Sequence, residues 1–334
     1  MLKLLSYIYS YFANQRNIKF DFGKKVIYKA NAKVISVGNI SVGGSGKTPV
    51  VIMLAIHFNS LGYKVAIVGS GYKRKGKGLI VVSNYGEILS NANEAGDEMY
   101  LISTIVQNSP VIVDRKKVNA VKYADLEFKP DIIIIDDGFQ HRYVYRDVNL
   151  LIIDKRTVEQ NHTLPYGRLR EPIKSISRAN VVILRDKIDL PHSYEQFVNK
   201  SVVFQSNTKI NRLYYLSNKE EFINLNEKLS VITVCGLALP ENFIKFVIGL
   251  NFKVEYSFNF KDHFLYTEDS IQQIIKKCNQ MRLDVLFTTE KDAVKLKEFI
   301  KIFDENNIKI IVMPIEIELQ NENEFYKLIN ELFN

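Results

Sequence analysis

Cysteine is nearly absent: Cys235 and Cys278 are the only two in 334 residues. They form no CxxC and no histidines gather around them, which excludes a zinc cluster and a disulfide framework and fits a reducing compartment. No apolar run approaches the ~18 residues of a membrane-spanning helix. The first twenty residues lack the small-residue cleavage site that follows the apolar core of a signal peptide. No low-complexity tract and no repeat of fixed period is present, so neither a disordered chain nor a solenoid is expected. No basic run carries aromatics at stacking intervals, which speaks against nucleic acid as a partner.

What is there describes a globular protein. Hydrophobic residues make up 46% and charged residues 25%, enough for a core and an ordinary surface. At ~100–200 residues per domain, the length suits two domains or one large one. The net charge of +8 favours anionic partners without choosing among them.

The segment "MLKLLSYIYSYFANQRNIKF" is two-sided. Lys3, Ser6, Ser10 and Asn14 make a polar line at helical spacing, and leucine, isoleucine, tyrosine and phenylalanine fill the rest. About fifteen residues give ~22 Å of helix, short of the ~30 Å hydrocarbon slab, so such a helix would lie on a bilayer rather than cross it. Arg16, Lys19, Lys24 and Lys25 would face anionic lipid. Packing on its own domain is the competing expectation.

Short apolar runs alternate with helical patterns. Strands are expected at 33–37, 64–68, 79–83, 110–113, 131–136, 149–153 and 180–184, with helices at 49–61, 94–107 and 116–126. "DIIIID" and "NLLIID" are continuous rather than alternating, as strands buried on both faces should be. This is a βαβ pattern and predicts a mostly parallel sheet. After about residue 202 the pattern restarts, with strands at 212–216, 230–235, 253–258, 284–288 and 309–312. Helices follow at 241–250, 268–281, 290–303 and 322–333.

"SVGNISVGGSGKTP" joins the first expected strand to the first helix. Strand, glycine loop, Gly46-Lys47-Thr48 and helix is the layout of a phosphate-binding P-loop. Amides of Gly43, Gly44, Ser45 and Gly46 would turn toward phosphate oxygens, Lys47 would reach the β- and γ-phosphates, and the Thr48 hydroxyl would sit on Mg²⁺. Pro49 suits a first helical turn. The strict pattern G-x-x-x-x-G-K-[ST] is not met, because its first glycine falls on Ser41. "VGGSGKT" also resembles the loop of partitioning-type ATPases, but the second lysine of those loops is replaced here by Val42. Asp136 and Asp137 leave a buried strand where ligands of such sheets bind, and a carboxylate there suits Mg²⁺.

Together with "SGYKRKGKG" (70–78), "AGDE" (95–98), "VDRKKVNA" (113–120), "DDGFQHRYVYRDVNLLIID" (136–154), "LPYGRLREP" (164–172), "CGLALPENF" (235–243), "DHFLYT" (262–267) and "LFTTEKDAVKL" (286–296), the loop resembles the tetraacyldisaccharide 4′-kinases of lipid A biosynthesis, P-loop kinases acting on a membrane lipid. Order and spacing fit over about residues 33 to 296. Two positions depart from the family pattern: Ser70 stands before Gly71-Tyr72 where arginine is usual, and Met99 follows Asp97-Glu98 where proline is usual.

The resemblance implies an α/β kinase, with a P-loop-type, mostly parallel sheet flanked by helices in 1–205 and a smaller α/β domain in 206–334 closing over the site. It implies transfer of the ATP γ-phosphate to the 4′-hydroxyl of tetraacyldisaccharide 1-phosphate, giving lipid IVA. It selects Asp97 as general base, paired with His263 from the second domain. It places Arg170 or Arg168 at phosphate and Glu171 at or near the metal, beside Thr48, Asp136 and Asp137. Gln140, His141 and Tyr72 are expected to support substrate or metal. Thr288–Asp292 would touch nucleotide or cap a helix; the residues leave both open. ATP and Mg²⁺ are the implied cofactors. The implied setting is a monomer held peripherally on the cytoplasmic side of the inner membrane. A P-loop ATPase switch is the alternative, distinguished by ATP turnover without an acceptor lipid.

Overall fold

The computed structural model describes residues 1–44, 46–223 and 229–333. Its architecture starts from Ile132 to Ile135, four consecutive β-branched residues that no half-solvated strand would carry. They form the strand Ile132–Asp136, buried along its length. Ile132 and Ile134 join one apolar cluster with Ile35, Val37 and Leu54, and Ile133 and Ile135 join another with Val34, Val68 and Val121. Each such side chain contributes about 1.5–3 kcal/mol when fully buried. The helix Lys47–Ser60 covers the first face and Lys117–Tyr123 the second.

Among the described residues this sheet has ten strands. Their order is Ile315–Leu319, Val202–Ile210, Val181–Arg185, Val148–Ile153, Lys33–Gly38, Ile132–Asp136, Val65–Gly69, Val111–Val113, Ile80–Asn84 and Glu87–Ile88. The strands from Val202–Ile210 to Val111–Val113 run parallel and the edges antiparallel. Lys33–Gly38 therefore lies between Val148–Ile153 and Ile132–Asp136 at the centre, and the residues leaving these strands share the carboxyl edge.

A second, six-stranded sheet has the order Asn218–Phe222, Tyr214–Tyr215, Lys309–Met313, Val285–Thr289, Ser230–Cys235 and Lys253–Asn259. Sheet membership differs from the division at 205/206. That boundary falls inside Val202–Ile210, and Ile315–Leu319 pairs back onto this strand in the first sheet. "IEIEL" alternates, so one face, Ile317 and Leu319, is free to enter the first core. The helix Glu322–Glu331 follows it with Phe325, Tyr326 and Ile329, and Tyr326 stacks on His57 with centroids 3.3 Å apart.

The N-terminal helix spans Leu2–Asp21 and packs by its polar side. Ser6 Oγ donates to the Thr163 carbonyl at 2.7 Å, and the Tyr9 hydroxyl donates to the Arg170 carbonyl at 3.1 Å. Leu2, Leu4, Leu5, Tyr7, Ile8, Tyr11 and Phe12 are left exposed. No helix among the described residues is long and apolar enough to cross a membrane.

Candidate active site

The loop after Lys33–Gly38 is fastened before it turns. The Val42 amide donates to the Arg168 carbonyl at 2.9 Å, and Arg168 Nη2 returns a bond to the Val42 carbonyl at 2.8 Å. Arg168 thus braces the loop backbone. Gly46 has φ 81, a left-handed conformation that favours glycine, and a Cβ there would displace the Arg185 guanidinium, 2.7 Å away. Gly43 and Gly44 lie in the turn, Ser45 lies outside the described residues, and Thr48 is partly buried in the first helical turn.

Lys47 Nζ is 3.5 Å from Asp137 Oδ1, and Arg170 Nη1 donates to both Asp137 oxygens at 3.0 and 2.8 Å. Lys117 donates to the Asp137 carbonyl. Burial opposes the charge on Asp137, but Lys47, Lys117 and Arg170 outweigh it and hold the carboxyl far below the usual carboxylate range. Asp136 shows the reverse. Burial and the neighbouring Glu98 push it up to about 7, and its Oδ1 has no hydrogen-bond partner.

Asp97 opens the helix Asp97–Ile105 immediately after Gly96, which has φ 88. A Cβ on Gly96 would sit 3.0 Å from the Gly71 carbonyl carbon, so this glycine lets the 70–74 loop lie against the helix start. His263, with φ 62, comes from the second unit. Its Nδ1 lies 3.3 Å from Asp97 Oδ2, a close contact that is not an aligned hydrogen bond. Lys295 Nζ donates to the same oxygen at 2.9 Å. Burial raises the proton affinity of Asp97, and His263 and Lys295 lower it by more, so the carboxyl lies below its ordinary value. Tyr72 places its ring edge-on to His263 at 5.2 Å and is itself 62% exposed.

The two groups meet through Glu98. It acts on Asp136 and lies 3.6 Å from Lys291 on the helix Glu290–Leu296. The structure therefore brings Lys47, Arg170, Asp136, Asp137, Asp97, His263 and Tyr72 to one carboxyl edge. Gln140 joins them, donating to the Asn39 carbonyl at 2.7 Å with Oε1 3.5 Å from Arg170.

Two expected residues do not present themselves there. Glu171 has 0% side-chain exposure, and its oxygens are taken by Arg16 at 2.6 Å and by Arg178. Both carboxylate oxygens are thus engaged by guanidinium groups in a fully buried place. His141 accepts the Val118 amide on Nε2 at 3.0 Å, and burial with the nearby Lys117 pushes it down to about 4. It positions the segment that carries Lys117.

Thr288–Asp292 proves to be a helix start. Thr289 accepts the Asp292 amide at 3.2 Å, and Thr288 Oγ1 donates to the Val234 carbonyl at 2.8 Å. Lys117, Lys291 and Lys295 lie inside the motifs "VDRKKVNA" and "LFTTEKDAVKL", but nothing in those motifs assigned them a role. Lys291 and Lys295 share one helix face at i, i+4 spacing, which on sequence reads as a solvated stripe.

Comparisons with known proteins identify the family. The model of the LpxK family, tetraacyldisaccharide-1-P 4′-kinase, matches residues 1–334. A tetraacyldisaccharide 4′-kinase of Halothermothrix orenii is 33% identical over 353 residues, covering 99% of this chain and 92% of its own. That of Aquifex aeolicus is 33% identical over 328 residues, with 98% and 97% covered. The crystal structure of the "apo" form of LpxK from Aquifex aeolicus, in complex with ATP, superposes with a TM-score of 0.78 at 29% identity, covering 99% of this chain and 98% of that one. The resemblance drawn from the motifs holds over the whole length, and this chain belongs to the tetraacyldisaccharide-1-P 4′-kinase family.

Proposed function

We propose that this chain moves the γ-phosphoryl group of ATP to the 4′-hydroxyl of tetraacyldisaccharide 1-phosphate, giving lipid IVA, at the cytoplasmic face of the inner membrane. The observation that carries the reading is the meeting of Asp97 and His263 at 3.3 Å, beside the loop whose Lys47 reaches Asp137. The larger unit is the first sheet with its returning strand and helix, and the smaller is the second sheet.

In this reading the amides of Gly43 to Gly46 and the Lys47 ammonium hold the terminal phosphates. Asp97 takes the proton of the sugar hydroxyl, whose oxygen attacks the γ-phosphorus as the bond to the bridging oxygen breaks and ADP leaves. A carboxylate held ionised is always in its accepting form, and weak basicity suits a loose transition state in which the hydroxyl proton leaves late. Lys47 and Arg170, both now shared with Asp137, neutralise charge on the transferring group. Tyr72 and Gln140 border the space for the sugar.

The residues fit a divalent cation in part. No set of three His, Cys, Asp or Glu side chains gathers for one among the described residues. The buried, unpartnered Asp136 Oδ1 is nevertheless what a hard cation would satisfy. Asp136 and Thr48 would hold Mg²⁺, with phosphate and water oxygens completing its shell. Bound there, the ion would neutralise phosphate charge. Asp137 and Glu171 are already committed to guanidinium and ammonium partners.

The exposed apolar face of Leu2–Asp21 suits a lipid surface. The test is radiolabelled ATP with tetraacyldisaccharide 1-phosphate in detergent. A bis-phosphorylated lipid is expected. Release of labelled phosphate without acceptor, and no labelled lipid, would favour the ATPase switch.

A further inference from the structure

The helix Glu290–Leu296 brings two ammonium groups to the Asp97–His263 pair. Lys295, with 6% side-chain exposure, donates to Asp97 Oδ2 and to the Phe264 carbonyl, both at 2.9 Å, and lies 3.4 Å from Asp292 Oδ1. Two of its ammonium protons are thus hydrogen-bonded, and Asp292 adds a longer ion-pair contact. Asp292 does not depend on Lys295. It accepts from the Gly236 amide at 3.0 Å, the Tyr266 hydroxyl at 3.1 Å and Thr289 Oγ1 at 2.8 Å. The buried group left in need of Lys295 is Asp97.

Lys291, one turn earlier, lies 3.2 Å from His263 Nε2, 3.2 Å from Asp262 Oδ1 and 3.6 Å from Glu98 Oε1. An ammonium has no lone pair, so Nε2 accepts and the ring proton sits on Nδ1, the atom that faces Asp97. We propose that Lys295 and Lys291 are positioning residues for phosphoryl transfer, Lys295 fixing the Asp97 carboxylate and Lys291 fixing the tautomer with which His263 meets it. This rests on the reading of Asp97 as general base.

A pH readout follows from what surrounds Asp97. Its own helix adds Glu98. The 70–74 loop adds Tyr72, Lys73 and Arg74. The 260–267 segment adds Asp262, His263 and Tyr266, and Glu290–Leu296 adds Lys291, Asp292 and Lys295. Among these, Lys295 is the cation hydrogen-bonded to Asp97, so its removal raises the proton affinity of the base.

The test uses the full chain in the labelled-ATP lipid assay. Lys295→Met should lower kcat by roughly 10- to 100-fold, below the full value of ~10²–10⁴ for a general base. KM for ATP should stay within about twofold, and the acid limb of kcat should move to higher pH. Lys295→Gln keeps a donor, on a side chain one bond shorter, while losing the charge; it should show the same limb shift and covers the case in which Lys295→Met fails to fold. Lys295→Arg should restore the limb and most of kcat. Lys291→Met should lower kcat by about tenfold. Asp97→Asn separates the two ideas. If it is inactive while the Met and Gln variants keep the wild-type limb, the positioning role is overturned; if it turns over at the wild-type rate, the base assignment falls as well.

Discussion

The two halves of the site are built in opposite ways. The phosphate half is gathered at one sheet edge: Lys47 opens the helix after Lys33–Gly38, Asp137 follows the neighbouring strand Ile132–Asp136, and Arg170 reaches Asp137 from a loop. The acceptor half, Asp97, His263 and Lys295, is assembled across two sheets from residues up to 198 positions apart. The first needs only the first sheet, to whose central strands two of its three residues are joined. The second exists only while the smaller unit rests on the larger. Nucleotide binding can therefore survive faults that abolish transfer, and the comparison is sharpened by breaking each half separately.

The largest effect is expected from Lys47→Ala. It removes a cation from the transferring phosphates, and transfer should fall by about 10³-fold or more. The fold should persist, because Asp137 keeps Arg170 and Lys117. Full activity with labelled lipid product would remove the phosphate half from the mechanism.

Next come Asp97→Ala and His263→Ala, each expected to lower kcat by roughly 10²-fold or more while ATP affinity changes little. Their double variant should be no worse than the poorer single one, because they act as a unit. Additive losses would show that the 3.3 Å contact is incidental to catalysis.

The same contrast governs what sequence could reveal. "DIIIID" and the glycine loop are local patterns: the central strands lie where the apolar runs place them, and the loop joins Lys33–Gly38 to the helix Lys47–Ser60 as expected. Val202–Ile210 was missed because it alternates with polar residues and gains its partner, Ile315–Leu319, from more than a hundred residues away. The helix expected over 290–303 breaks at Lys297–Phe299, a 3₁₀ turn that no proline or glycine announces. Asp97 and His263 were reached by resemblance. Lys295 was not, since a lysine on a helix face looks solvated until the opposing lobe is known. Glu171 misled for the converse reason: beside Arg170 it reads as a ligand, and only the fold shows Arg16 and Arg178 around it.

A third break addresses the lipid side. Replacing Leu4, Leu5 and Phe12 together by serine removes exposed apolar surface and none of the helix's polar anchors, Ser6, Tyr9, Arg16 and Asn17. At about 0.8 kcal/mol per buried CH₂, binding to vesicles of anionic and zwitterionic lipid should drop by tenfold or more. ATP binding should be unchanged. Equal vesicle binding would leave the face without its assigned partner.

The smallest effect tests the acceptor half through stability alone. Glu290 begins the helix that carries Lys291 and Lys295, and burial pushes it up to about 7, against the weaker pull of the Ile315 amide and Lys219. A carboxyl raised in the folded state favours folding fully below its unfolded value, near 4.5, and that contribution is lost as pH rises through about 7. The folded chain binds a proton in that window that the unfolded chain does not. Glu290→Gln keeps an acceptor for the Ile315 amide and cannot ionise. Its stability relative to wild type should therefore improve between pH 5 and pH 8, by on the order of 1 kcal/mol. Urea melts at the two pH values measure this. A difference that stays constant, or narrows at pH 8, would mean that Glu290 is better solvated than its packing implies, and that the helix end bearing both lysines is looser than the phosphate half it faces.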